Sequence, residues 1–261
     1  MRKVGFIMKT FSIKIEGVNN LKIKTLADLH IGDPYCDLKT IKKEIEKIKD
    51  SKDCYVLLNG DLMNNAIKTS VSDVYGEVMT PMEQLNTCIS LFSPIREKIL
   101  GVTAGNHERR SYNNSGIALM EVFCMQLGLM DRYDPDGMVI FVRFGKTRKG
   151  RLQRYSIYMT HGAGGGRKAG AKANRLEDME NLIDTDIYVH SHSHLGMVFK
   201  KDFFRIDNIN SSVEKVEKVF VNTNAFLKYG GYGEAYEYTP YAIAVPTIEL
   251  DGYSRKISVK I

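Results

Sequence analysis

All six histidines of this 261-residue chain lie in or beside five short polar segments. These are ADLHIGD with Asp28 and His30, NGDLMNN with Asp61, GNHERR with Asn106 and His107, MTHGAGGG with His161, and VHSHSHLG with His190, His192 and His194. A lone D-x-H is easily met by chance. Five such segments in one chain are a different matter. Carboxylate oxygen and neutral imidazole are donors that suit Mn²⁺, Fe²⁺, Zn²⁺ or Ni²⁺, and the absence of thiolate among them argues against a structural zinc site.

The elements that must position these residues follow from patterning. FSIKI and LKIKTLADLH alternate as half-buried strands do, with GVNN offering a turn between them. Asp37 can cap a helix whose apolar stripe is Leu38, Ile41, Ile45 and Ile48. CYVLLNGD reads as a buried strand running into a polar loop. Thr80, Pro81 and Glu83 spell a capping box for TPMEQLNTCISLF, which Pro94 should interrupt before REKILGVTAGN supplies another short strand. SGIALMEVFCMQLG predicts a helix closed by Gly128. RYSIYMTHG and DIYVHSHSH read as strands with the helical stretch NRLEDMENLI between them, KVFVNTNAF as a strand, and PTIELDGYSRKISVKI as a hairpin turning at Asp251-Gly252. Each polar segment thus follows the C-terminal end of a strand, the edge where ligands bind in strand–helix alternations.

Composition bounds the rest. With 43% hydrophobic and 26% charged residues, the chain reads as an ordinary soluble globular protein. No repeat or linker divides it, so residues 1–261 are read as one domain. No apolar run approaches a membrane span, and MRKVGFIMKT lacks a long apolar region and a small-residue cleavage site, so a cytoplasmic location is expected, with Met8 an alternative start. Cys36, Cys54, Cys88 and Cys124 form no C-x-x-C pair and are expected to be reduced thiols. A net charge of +6 favours polyanionic partners without naming one.

In order, the segments resemble the signature of the calcineurin-like metallophosphoesterase superfamily: D-x-H, G-D-x-x, G-N-H-[DE], H, then G-H-x-H, over residues 28 to 194. Ser191 stands where the last motif has its first glycine. The resemblance implies a four-layer α/β/β/α sandwich of two mixed β-sheets flanked by helices. It also implies two divalent ions, Mn²⁺ first among the candidates: Asp28, His30 and His194 on one, Asn106, His161 and His192 on the other, and Asp61 bridging. Cations about 3.5 to 4 Å apart need such a shared anion. Two ions less two carboxylates and a bridging hydroxide leave a charge of about +1, complementary to an anionic phosphoryl group. Metal lowers the pKa of bound water toward about 7, so a hydroxide can attack phosphorus in line. His107 is the candidate general acid or transition-state stabiliser, with Asp33 or Glu108 to orient an imidazole. Because His192 and His194 would serve different ions, the strand before them should end near Val189 in an irregular turn. His190 is left with a supporting or rim role, hydrogen-bonding a metal-ligating residue or the substrate rather than coordinating, or is a partly exposed strand-end histidine.

The expected substrate is a phosphate ester, a phosphodiester first and DNA or RNA a candidate. GDLMNN lacks the V-D-R-G extension of the serine/threonine phosphatases, and ADLHIGD is closer to bacterial and phage phosphodiesterases and repair nucleases. The alternatives are a phosphomonoesterase and an inactive binding scaffold that keeps only the fold. Candidate substrate contacts are Arg167 and Lys168 in GAGGGRKAGAKANR, and Arg109. KTRKGRLQR reads as a solvated hairpin tip, and Tyr229, Tyr232, Tyr236, Tyr238 and Tyr241 either stack bases or cover the core.

Overall fold

A computed structural model describes residues 8–68, 70, 73–164 and 166–261, with the side chain of Tyr232 undescribed. Residues 1–7, most of the opening segment and of the alternative-start reading, lie outside it. Strand alternation sorts the apolar residues into two facing layers. One sheet has the order β1 (Lys9–Lys14), β5 (Met138–Phe144), β6 (Gln153–Met159), β7 (Ile187–His190), β9 (Ser212–Asn222), β8 (Met197–Asp207). Its β5/β6 and β8/β9 pairs are antiparallel and the others parallel. The second has the order β11 (Ile257–Lys260), β10 (Thr247–Asp251), β2 (Asn20–Leu26), β3 (Cys54–Asn59), β4 (Ile99–Thr103). There β2, β3 and β4 are parallel and β10 is antiparallel to both neighbours.

Leu21, Ile23, Leu57, Leu100, Ile140, Ile157, Val189 and Val221 fill the space between the sheets and are fully buried. Each such side chain contributes about 1.5–3 kcal/mol relative to exposure. Outside the second sheet, α1 (Leu38–Asp50), α2 (Pro81–Phe92) and α4 (Leu119–Leu127) press Ile41, Phe92 and Phe123 onto Val56, Leu58 and Val102. Outside the first, α5 (Ala169–Glu177) places Leu176 against Tyr158, Tyr188 and Phe220. The result is the expected four-layer α/β/β/α sandwich.

Local signals hold where chemistry dictates them. The Asp37 carboxylate accepts from Thr40 N at 3.2 Å, Thr80 and Glu83 complete their capping box, and Gly128 closes α4 in the left-handed conformation. Pro94 sits in a 3₁₀ segment, Ser93–Lys98, that ends α2. The expected turn at GVNN does not make a hairpin: β1 pairs with β5, and β2 lies in the other sheet. β5, β8 and α3 (Asn106–Ser115) went unanticipated, and GNHERR is a helix start rather than a loop. α5 begins at Ala169, before NRLEDMENLI, which finishes as 3₁₀ over Asp178–Asn181. β7 runs one residue past Val189 to His190. The basic segment near 146–154 joins β5 to β6 as an exposed turn. No helix among the described residues is long and apolar enough to cross a membrane.

Candidate metal centre

Five connections, after β2, β3, β4, β6 and β7, bring the polar segments to one edge of the sandwich. They do so with an unusual backbone. Nine non-glycine residues among those described have positive φ, and five of them are Asp28, His30, Asp61, His192 and His194. L-residues enter this region at a cost of roughly 1–2 kcal/mol each, so the loops must be held there. Leu29 N and His30 N donate to Asp61 O at 2.8 and 3.1 Å, which knits the first two loops together. The buried Glu108 carboxylate, on the first turn of α3, accepts from Asp61 N, Gly105 N and Met63 N at 3.1, 2.9 and 3.0 Å. Gly105 is required for close approach: a Cβ there would lie 2.0 Å from Asp61 Oδ1.

The donor atoms then converge. His194 Nε2 lies 3.2 Å from both His30 Nε2 and Asp28 Oδ1, and His161 Nε2 lies 3.2 Å from Asp61 Oδ2 and 3.3 Å from Asn106 Oδ1. Among the described histidines, cysteines and carboxylates, three groups have ligand atoms mutually within 4.8 Å: Asp28, His30 and His194; His30, Asp61 and His107; and Asp61, His161 and His192. The tautomers follow from the acceptors behind the rings. His161 Nδ1 donates to Asn59 O at 2.7 Å. Asn64 Nδ2 donates to Glu77, so its Oδ1, 3.2 Å from His30 Nδ1, is the acceptor there. In the neutral rings both Nε2 atoms therefore turn lone pairs inward. Asp28 Oδ1 and His192 Nδ1 are buried without a hydrogen-bond partner among the described residues. Bare lone pairs and orphaned buried donors facing one another are the surroundings a divalent cation satisfies, so the residues fit one.

Electrostatics agree. Burial opposes the charge of Asp28, yet His194 and His161 hold its carboxyl below the usual range. Against the same burial, His161 and His107 hold Asp61 well below it. Burial, then His107 and His194, push His30 well below 6.5, and burial lowers His192 and His190. Burial would lower His161 too, but the Asp61 carboxylate overrides it and pushes His161 up to about 10. The two buried carboxylates thus stay ionised, and the negative field that holds a proton on His161 also favours a metal cation.

Some expected residues sit elsewhere. Neither Asp33 nor Glu108 hydrogen-bonds an imidazole; Asn64, unflagged within NGDLMNN, does. Arg109 pairs with Asp136 at 2.7 Å, whereas its neighbour Arg110 places Nη2 3.0 Å from His107 Nε2. His107 Nδ1 is committed to Asn64 O at 2.7 Å. Ser191 needs no glycine: its φ is ordinary and its Oγ accepts from Asn59 Nδ2 at 2.6 Å, linking the two sheets. His190 is buried, not partly exposed, and bonds Asn222 Oδ1 at 2.9 Å. Arg167 and Lys168 are exposed, and Arg167 lies 5.7 Å from the Tyr238 ring as Lys172 lies 5.0 Å from that of Tyr241. The basic and tyrosine-rich segments therefore meet. A cavity of about 550 Å³ opens beside Asn106 and His161, lined also by Arg109, Tyr158, Met179 and His190.

Among solved structures the chain is similar to Vps29 of Chaetomium thermophilum, at 15% identity over 92% of this chain and 96% of that one, with a TM-score of 0.40. It is similar also to the nuclease MPE of Pseudomonas putida, at 15% identity over 91% and 87%, with a TM-score of 0.34. No curated protein matches it. Residues 21–196 match the family described as calcineurin-like phosphoesterase, and with two thirds of its length so matched the chain belongs to that family.

Proposed function

We propose that the chain is a two-metal phosphodiesterase in which Asp28, His30 and His194 hold one divalent cation, Asn106, His161 and His192 hold a second, and Asp61 serves both. Membership of a phosphoesterase family supports a metal-dependent hydrolase of phosphate esters. The observation that carries the finer reading is the inward convergence of lone pairs on His30, His161 and Asp61, with the orphaned Asp28 Oδ1 and His192 Nδ1 beside them. Once bound, two such ions bring the pKa of water toward about 7 and withdraw charge from a phosphoryl group.

The chain's own residues do the positioning. Asn64 and the Asn59 carbonyl fix the ring orientations of His30 and His161, and Glu108 fixes the loop that carries Asp61. His107 presents Nε2 to the site at 3.8 Å from Asp61 Oδ2. Burial lowers its pKa, which Asp61 opposes and Arg110 reinforces. Nδ1 donates to Asn64 O and Arg110 donates to Nε2, so in acting on a departing alkoxide the ring would first have to take up a proton at Nε2. Arg110 adds a permanent positive charge beside it. The cavity next to Asn106 and His161 has room for the second substituent of a diester, which a monoester lacks. The meeting of Arg167 and Lys172 with two tyrosines supports nucleic acid as a substrate, through phosphate contacts and base stacking.

With Mn²⁺ supplied, bis(p-nitrophenyl) phosphate should be cleaved faster than p-nitrophenyl phosphate, and Asp61→Ala or His192→Ala should abolish the activity. Full activity in both variants rejects the reading. A faster monoester reaction indicates a phosphomonoesterase. No bound metal after chelator-free purification, with no rescue by added metal, indicates a binding scaffold. A panel of single- and double-stranded DNA, RNA and cyclic nucleotides then identifies the substrate.

A further inference from the structure

We infer that the cavity beside Asn106 and His161 seats a nucleoside substituent of the diester, and that His190 accepts a hydrogen bond there from a sugar hydroxyl. The inference rests on the phosphodiesterase reading. Three observations carry it.

The first is size and place. About 550 Å³ lies within the range that encloses small-molecule groups, and two of the lining residues, Asn106 and His161, belong to the donor cluster, so an occupant is within covalent reach of a phosphoryl group held there. The buried Tyr158 and Met179 supply an apolar wall, and the guanidinium planes of Arg109 and Arg175 can stack on a base.

The second is charge. Two arginines, 109 and 175, are matched by two aspartates, 136 and 178, in the same lining. Arg109 and Asp136 are paired directly at 2.7 Å. A wall balanced in this way suits a neutral polar group better than a second phosphate.

The third is the state of His190. Asn222 Nδ2 donates to Ser193 Oγ at 2.7 Å and Leu195 O at 2.6 Å, so the atom facing His190 Nδ1 at 2.9 Å is the amide oxygen. Nδ1 therefore carries a proton, and Nε2, which has no hydrogen-bond partner among the described residues, is an acceptor in the neutral ring. It repels a phosphate oxygen and takes a hydroxyl or amine proton. Gly162, at φ +91°, passes directly over this nitrogen, and a Cβ there would lie 2.0 Å from it, so a side chain at this position would seal the acceptor off.

The test compares two probes, the p-nitrophenyl ester of uridine 5′-phosphate and its 2′,3′-dideoxy counterpart, as a ratio of kcat/KM within each protein. That ratio does not depend on how much enzyme is active. The wild type should prefer the hydroxylated probe by about tenfold, the scale of one hydrogen bond. His190→Asn keeps a donor toward Asn222 but deletes the atom that faces the cavity, so its ratio should fall to about one. His190→Gln restores an acceptor near the position of Nε2 and should recover the preference. A wild type that cleaves bis(p-nitrophenyl) phosphate yet treats the two uridine probes alike overturns the inference and spares the phosphodiesterase reading, as does a His190→Asn variant that keeps the tenfold ratio. Failure to cleave bis(p-nitrophenyl) phosphate with any metal overturns both.

Discussion

The backbone N–H of His192 donates to Asp28 Oδ2 at 3.1 Å, joining the first motif to the last across 164 positions of sequence. Thr223 Oγ1 reaches the same oxygen at 3.4 Å, which leaves Oδ1 alone to face the imidazoles. A carboxylate divided in this way does not tolerate a carboxamide. Asp28→Asn can still accept from His192, but it then turns an NH₂ into the cluster. The variant should fold, lose more than the roughly 10- to 100-fold in activity that loss of an outer partner costs, and bind less metal. Elemental analysis of protein purified from Mn²⁺ medium checks this, and undiminished metal content counts against Asp28 as a ligand.

Asn64 tests the layer behind the donors. Asn64→Leu removes the acceptor of His30 Nδ1 and frees the ring to rotate or change tautomer. Metal affinity or turnover should fall about 10- to 100-fold without global unfolding. Titration of metal-stripped protein with Mn²⁺ measures the affinity.

Glu108 binds three loops to one carboxylate. In Glu108→Gln one acceptor oxygen becomes a donor facing backbone N–H groups, so unfolding free energy in urea should drop by about 1–3 kcal/mol. An unchanged midpoint would show that these bonds are replaceable.

Chelation should destabilise as well as inactivate. Ligands that bind only the folded state stabilise it by mass action, about 2.7 kcal/mol at a hundredfold excess over Kd. Dialysis against a chelator should lower Tm, and Mn²⁺ should restore it in wild type but less in Asp61→Ala.

On the far side of the first sheet, the nearly buried Lys218 ammonium lies 2.8 Å from Asp184. Burial opposes the Asp184 charge, yet Lys218 and Arg205 hold its carboxyl below the usual value. A depressed carboxylate contributes stability above its unfolded pKa of about 3.9 and loses it as pH falls through the folded value. Because Asp184 is 58% exposed, the contribution is under about 1 kcal/mol. Denaturation at pH 7 and pH 3 should therefore show a slightly smaller acid loss in Asp184→Asn than in wild type.

Much of this was legible in the sequence because it is local. The caps at Asp37, Thr80 and Gly128 and the donor motifs are written in a few adjacent residues each. What escaped is settled at long range. β1 pairs with a strand about 130 positions away, and its alternation says nothing of which sheet it joins. The polar run Asn106–Ser115 has one buried residue, Glu108, so α3 carries no apolar stripe to announce it. Asn64 and Arg110 look like ordinary loop polars until the fold sets them against His30 and His107.

Five of the seven residues that aim side chains inward at the centre sit in left-handed backbone. Glycine would relax the main chain at each and remove the donor with it. Directed evolution for heat resistance alone, with no demand for turnover, should be drawn toward these positions and disarm the protein as it toughens it. Any thermostabilised form intended for use should be selected with metal and substrate present.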